Sequence, residues 1–131
     1  MPSLSAVSAA RLATCDVRLQ ALFQAVAAHV DCLILEGFRD QATQDAAFAA
    51  GRSKLRWPHG KHNRQPSLAV DAAPLPIDWA DRERLHLFAG FVLGLARAQG
   101  VAVRWGGDWN GNFQVADNRF DDLVHFELVE A

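Results

Sequence analysis

Asp122-Leu123-Val124-His125-Phe126-Glu127 is the stretch from which the fold is read. Its apolar residues continue into Leu128 and Val129, which predicts a last strand over about residues 123–129. In such a strand His125 and Glu127, two apart, share a face, while residues three apart point to opposite faces. Asp122 therefore reaches the side of His125 only from just outside the strand. An acid and an imidazole so placed can serve one metal centre, the imidazole as ligand and the acid as proton carrier for a bound water.

Other elements follow outward from this strand. Residues 69–73 form a short strand candidate closed by Pro74 and Pro76, and Val101, Val103 and Trp105 alternate as another. Cys32-Leu33-Ile34-Leu35 is an apolar run ending at Gly37, which reads as a buried strand. Leu19, Leu22, Phe23, Val26 and Val30 recur at helical spacing and predict an amphipathic helix over about residues 16–29. Asp40 caps an alanine-rich helix that stops at Gly51. Asp81 begins a helix with Leu85, Phe88, Val92 and Leu95 on one face and Gly100 as its stop. Residues 52–66, broken by Pro58, Gly60 and Pro66, read as loop, and residues 106–112 as a turn-rich connection. Helices and strands alternate only in part, so the expected class is α+β, with a small, mainly antiparallel sheet flanked by helices.

At 131 residues, with no repeat or linker, the chain is expected to be a single domain over residues 1–131. Half its residues are apolar, as in ordinary globular proteins. A net charge of -2 with scattered Lys and Arg offers no basic patch, which argues against nucleic acid as a partner. No apolar run approaches the roughly 20 residues needed for membrane insertion. The first ten residues lack the basic and long apolar regions of a signal peptide, so synthesis in the cytoplasm is expected. Cys15 and Cys32 read as buried free thiols, which fits a reducing site of synthesis.

The chemistry emerges when the last strand is set beside His62-Asn63-Arg64-Gln65-Pro66-Ser67-Leu68-Ala69-Val70-Asp71. His62, Asp71 and His125 are three plausible metal ligands, the number a catalytic zinc site usually has beside its water. Two neutral imidazoles and one carboxylate leave a zinc ion with a net charge of about +1, still able to acidify water. Asp122 would take that water's proton and pass it to a leaving amine, and Glu127 would orient an imidazole. Arg39, just after the strand ending at Gly37, is a candidate to hold a substrate carboxylate or a developing oxyanion. His59, three residues before His62, competes with it as a ligand. Trp105 and Trp109 flank Gly106-Gly107 and could wall a cleft against substrate, or could be core. Asp121 reads as a solvated loop acid, Asp108 as a backbone hydrogen-bonding group in its turn, and His29 and His86 as surface or core residues.

Many short segments, in order, resemble the zinc D-Ala-D-Ala carboxypeptidase and L-alanyl-D-glutamate endopeptidase family, and within it the phage endolysin-type endopeptidases. They are Glu36-Gly37-Phe38-Arg39, Gly51-Arg52-Ser53-Lys54, Lys61-His62-Asn63 and Ala69-Val70-Asp71-Ala72-Ala73-Pro74, then Arg104-Trp105-Gly106-Gly107-Asp108-Trp109 and Asp122-Leu123-Val124-His125-Phe126-Glu127-Leu128. The resemblance implies an α+β fold of the Hedgehog/D-Ala-D-Ala peptidase type with one catalytic Zn2+. By matching position it makes His62, Asp71 and His125 the ligands, Asp122 the base and Arg39 the arginine that contacts substrate and stabilises the transition state. The implied reaction is hydrolysis of the L-Ala-D-Glu bond in the peptidoglycan stem peptide. A carboxypeptidase trimming terminal D-Ala is the near alternative, and a non-catalytic cell-wall or phage-structural binding module is another. Retention of Asp122 beside all three ligands argues against a pure binder, which has no use for a base. The expected protein is a monomer that acts on the wall after release, with a holin or lysis from another source giving access. This chain departs from the family pattern at Gly60, where serine is usual, in the longer stretch from His62 to Asp71, and at Val124, where proline is common.

Overall fold

Among the described residues, four strands make one antiparallel sheet, and their order places the last strand beside the strand that precedes the long helix. In the computed structural model, which describes residues 3–129, the strands are β1 (Cys32–Glu36), β2 (Ala69–Pro74), β3 (Val103–Gly106) and β4 (Asp122–Leu128), ordered β1-β2-β4-β3. The helices are α1 (Ala6–Leu12), α2 (Val17–Ala27), α3 (Gln41–Ala49) and α4 (Arg82–Ala98). The expected α+β class and antiparallel sheet are what the chain adopts.

Each helix starts where a side chain can accept an otherwise orphaned backbone N–H. Asp16 accepts from Arg18, Asp40 from Thr43 and Asp81 from Arg84. Helix α1, capped by Ser5, is absent from the sequence reading, because seven residues rich in alanine carry almost no apolar periodicity. Within residues 52–66, a single 3-10 turn at Lys61–Asn63 interrupts the expected loop.

Alternation along β2 and β4 sorts the sheet into two faces. Val70, Ala72, Phe126 and Leu128 join the apolar cluster with Leu19, Phe23 and Val26 of α2 and Leu85, Phe88 and Val92 of α4. Phe126 is wholly buried, with its ring 5.5 Å from that of Phe23 and 6.3 Å from that of Phe88. The opposite face carries Asp71, His125 and Glu127, and the β2–β4 register sets Asp71 directly across from His125.

The start of β4 differs from expectation. Asp122 lies inside the strand and faces Gly106, while Trp105 faces Phe126. β4 thus inserts Leu123, Val124 and His125 between two positions that are adjacent on β3. This bulge breaks the two-residue alternation, so Asp122 and His125, three apart, both border the same cleft. Glycine at 106 permits it, because a Cβ there would collide with the backbone carbonyl of Asp122.

No helix among the described residues is long and apolar enough to cross a membrane. Both cysteines are free and buried, and burial pushes each thiol up to about 11. They should therefore resist a disulfide thiol reagent at pH 8 in the native protein and react together on unfolding. Rapid labelling of the native protein would contradict this packing. Phe126→Ala should lower stability by about 3–5 kcal/mol in urea denaturation, the usual cost of emptying a buried aromatic site.

Candidate active site

The 3-10 turn that carries His62 is held from several directions. The N–H of Arg39 donates to the His62 carbonyl at 2.8 Å, and the N–H of Leu68 to the Lys61 carbonyl at 3.1 Å. Asn63 accepts from the Gly60 N–H at 2.9 Å and donates its amide to the Arg39 carbonyl at 3.1 Å. The departure at Gly60 is accommodated here, since Asn63 closes the turn through backbone N–H and needs no side chain at 60.

His62, Asp71 and His125 come together at the centre of the sheet. Nε2 of His62 lies 3.1 Å from Oδ1 of Asp71 and 3.2 Å from Nδ1 of His125, and that Nδ1 lies 3.2 Å from the same Oδ1. Tetrahedral zinc with ligands at about 2.0–2.1 Å requires roughly 3.3–3.4 Å between ligand atoms, so this near-equilateral triangle fits such an ion. The outer ring nitrogens select the tautomers. Nδ1–H of His62 donates to the Gly37 carbonyl at 2.7 Å, and Nε2–H of His125 to Oε1 of Glu127 at 2.8 Å. Both inward lone pairs thereby point at the carboxylate oxygen, an arrangement suited to a shared cation.

Electrostatics follow the same geometry. Burial acts to raise the Asp71 carboxyl, but the charges and hydrogen bonds of His62 and His125 hold it well below the usual carboxylate range. Burial acts to lower His125, yet hydrogen bonds to Asp71 and Glu127 push it up to about 9. A metal ion and a proton therefore compete for its Nδ1. Asp122, with Oδ2 4.0 Å from that nitrogen, is raised by its own burial and by the charge of Asp71. A carboxyl raised in this way is better suited to accept a proton than a fully solvated one.

Glu127 holds His125 through Oε1. Its second oxygen lies 3.3 Å from Nζ of Lys61 and 3.5 Å from Nη1 of Arg104. Arg39 borders the cleft, but its guanidinium is already engaged. Nε and Nη2 reach Glu36 Oε1 at 2.8 and 2.6 Å, Nη1 donates to Gln44 at 2.9 Å, and Nη2 is 3.7 Å from Asp71 Oδ2.

Gln44 is a site residue that the sequence reading missed. It is buried, accepts from both Arg39 and Asn63, and donates to Ser53 Oγ and the Leu55 carbonyl. One amide thus ties the arginine, the His62 turn and the loop after α3 together. Its only signal was a glutamine three residues before Ala47 on the inward stripe of an alanine-rich helix.

Trp105 requires a correction as a substrate-binding residue. Opposite Phe126 on β3, it points to the core face, 5% exposed, and its indole N–H donates to the Leu123 carbonyl at 2.8 Å. Trp109 lines the cleft instead, with its ring 5.3 Å from that of His125. His59 also borders the cleft but is exposed and outside the three-atom cluster. Asp121 binds Arg82 and Asn118, Asp108 accepts the Phe113 N–H, and His86 and His29 pack against Trp105 and Phe91. The cleft itself encloses about 430 Å³.

A His-Asp-His triangle beside a partly buried acid, bordering a cleft in an α+β fold, is consistent with a metallopeptidase. The family model of the phage L-alanyl-D-glutamate peptidases matches residues 2–129, and the chain belongs to that family. It is also similar to the crystal structure of the Serratia marcescens L-Ala D-Glu endopeptidase ChiX. The two share 26% identity and a TM-score of 0.75, over 95% of this chain and 87% of that one.

Glu127→Ala should weaken zinc binding by about 10–100-fold, read by competition with a chromophoric chelator, as expected when an imidazole loses its orienting acid. An unchanged affinity would remove that role from Glu127.

Proposed function

We propose that this chain is a zinc-dependent endopeptidase that hydrolyses the L-Ala-D-Glu bond of the peptidoglycan stem peptide. The observation that carries the reading is the convergence of His62, Asp71 and His125 to within 3.2 Å beside Asp122. Family membership and the likeness to ChiX support the choice of bond. Two imidazole nitrogens and one carboxylate oxygen form a donor set that suits zinc, and the same three residues would hold it. Zinc bound there supplies an acidified water and a Lewis acid for the scissile carbonyl.

The chain's own residues do the rest. Asp122 accepts a proton from the attacking water and returns it to the amide nitrogen as the C–N bond breaks. Its raised proton affinity serves both transfers, since it must take the proton and then surrender it. Arg39, held by Glu36 and Gln44, keeps a positive charge at the cleft wall where the carbonyl oxygen gains negative charge. Glu127 and the Gly37 carbonyl hold the two imidazoles in their ligand tautomers. Trp109 covers one side of His125 and narrows water access to it. Release to the wall by a holin belongs to the same reading and is supported by family membership.

The test is mass spectrometry of a purified stem peptide after incubation with zinc-loaded protein. A product with a new amine terminus on D-Glu is expected, and its absence with zinc occupancy confirmed would sink the proposal. Asp122→Asn should keep its zinc while turnover falls by roughly 10²-fold or more, the usual loss with a general base. An undiminished rate would take Asp122 out of the chemistry.

A further inference from the structure

The cations around the cleft fall into two groups. Arg39 is paired with Glu36, and Lys61 and Arg104 both sit against Glu127. Arg52 and Lys54 also line the cleft but, among the described residues, neither has a carboxylate partner. Lys54 instead holds its Nζ 4.5 Å over the ring of Phe120, a cleft residue from the loop before β4. Their segment is also fixed in place. Gln44 donates to Ser53 Oγ at 3.1 Å and to the Leu55 carbonyl at 2.6 Å, and the Arg52 N–H donates to the Ala47 carbonyl at 2.9 Å. Although the chain has a net charge of -2, an anchored segment of the cleft wall therefore presents two cations that no carboxylate of the described residues compensates.

The chemistry of the proposed substrate supplies a counterpart. Glutamate has two carboxyl groups, and chain extension can use only one. When its amine lies in the scissile bond, the other remains as a carboxylate on the departing fragment, while the L-Ala side is neutral there. Arg39 has no free pair of N–H groups for that carboxylate, because Glu36 and Gln44 take its Nε, Nη1 and Nη2, and it is left to act at the reacting carbonyl through its charge alone. We infer that Arg52 and Lys54 form an anion subsite that binds the free carboxylate of the acidic fragment and so sets the direction in which the peptide lies. This assignment rests on the endopeptidase reading. It divides the labour among the cations, with Arg39 at the reacting carbonyl and the Arg52–Lys54 pair at the substrate's charge.

Two synthetic stem tripeptides that differ only in whether the free D-Glu group is a carboxylate or a carboxamide provide the test. Each is measured with zinc-loaded wild type, the Arg52→Ser/Lys54→Ser double variant and Arg97→Ser. The last removes an exposed cation at the end of α4 and controls for net charge. Wild type and Arg97→Ser should favour the carboxylate peptide in kcat/KM by about tenfold, the sum of two partly exposed ion pairs. The double variant should lose that preference, chiefly through KM, and added salt should reduce it in wild type. A wild type without preference, or a double variant that keeps it, would overturn the subsite. Calorimetric titration of the same peptides separates the two proposals. Selective binding of the carboxylate form that the double variant loses would uphold the subsite even if neither peptide were cleaved, an outcome that would overturn the endopeptidase reading alone.

Discussion

Asp71 faces His125 across the β2–β4 ladder, and the rest of the site is arranged around that pair. Directly opposed residues on one face of an antiparallel pair have side chains close enough to touch. The central position in the sheet leaves this carboxylate little water, and an isolated buried carboxylate is costly. A proton or metal ion held between that oxygen and the inward imidazole nitrogens offsets that cost, and the outer nitrogens are tied to the Gly37 carbonyl and Glu127. Backbone pairing thus delivers two of the three candidate ligands, while the short turn at Lys61–Asn63 brings the third to the sheet from outside it.

The β4 bulge sets an acid beside the His-Asp-His cluster. Regular alternation would send Asp122 and His125 to opposite faces. The register jump at Trp105–Gly106 reverses the parity, and the missing side chain at Gly106 lets the two strands meet closely enough for it. The same jump leaves the Leu123 carbonyl to accept the Trp105 indole N–H, so the core tryptophan and Asp122 are set by one irregularity. Bulges beside active sites commonly re-aim a side chain in this way.

Gln44 gives the cleft its other wall. A buried amide with both ends satisfied holds position better than a surface ion pair, because leaving any of its groups unpaired would be costly. It holds Arg39 against Asp71 on one side and the Ser53–Leu55 backbone on the other. The cations of that wall are therefore presented from a fixed backbone. The charges scattered along the sequence become one local positive surface only when the loop after α3 folds back to the His62 turn.

The sequence by itself determined the α+β class, the main helices with their caps and the strand positions to within a residue or two, and it singled out His62, Asp71, His125, Asp122 and Glu127 as candidates that the fold brings together. These were legible because periodicity, capping residues and ligand chemistry are local, and because the family resemblance carried the pairing of distant segments. Tertiary structure alone decided which face each strand residue occupies near the bulge, and hence that Trp109, not Trp105, lines the cleft. It also decided that Gln44 joins three segments and that, among the described residues, Arg52 and Lys54 are left without acids. The physical reason is common to all of these. Parity across a bulge, satisfaction of a buried amide and compensation of a charge depend on partners supplied by other elements, and no spacing along one segment records them.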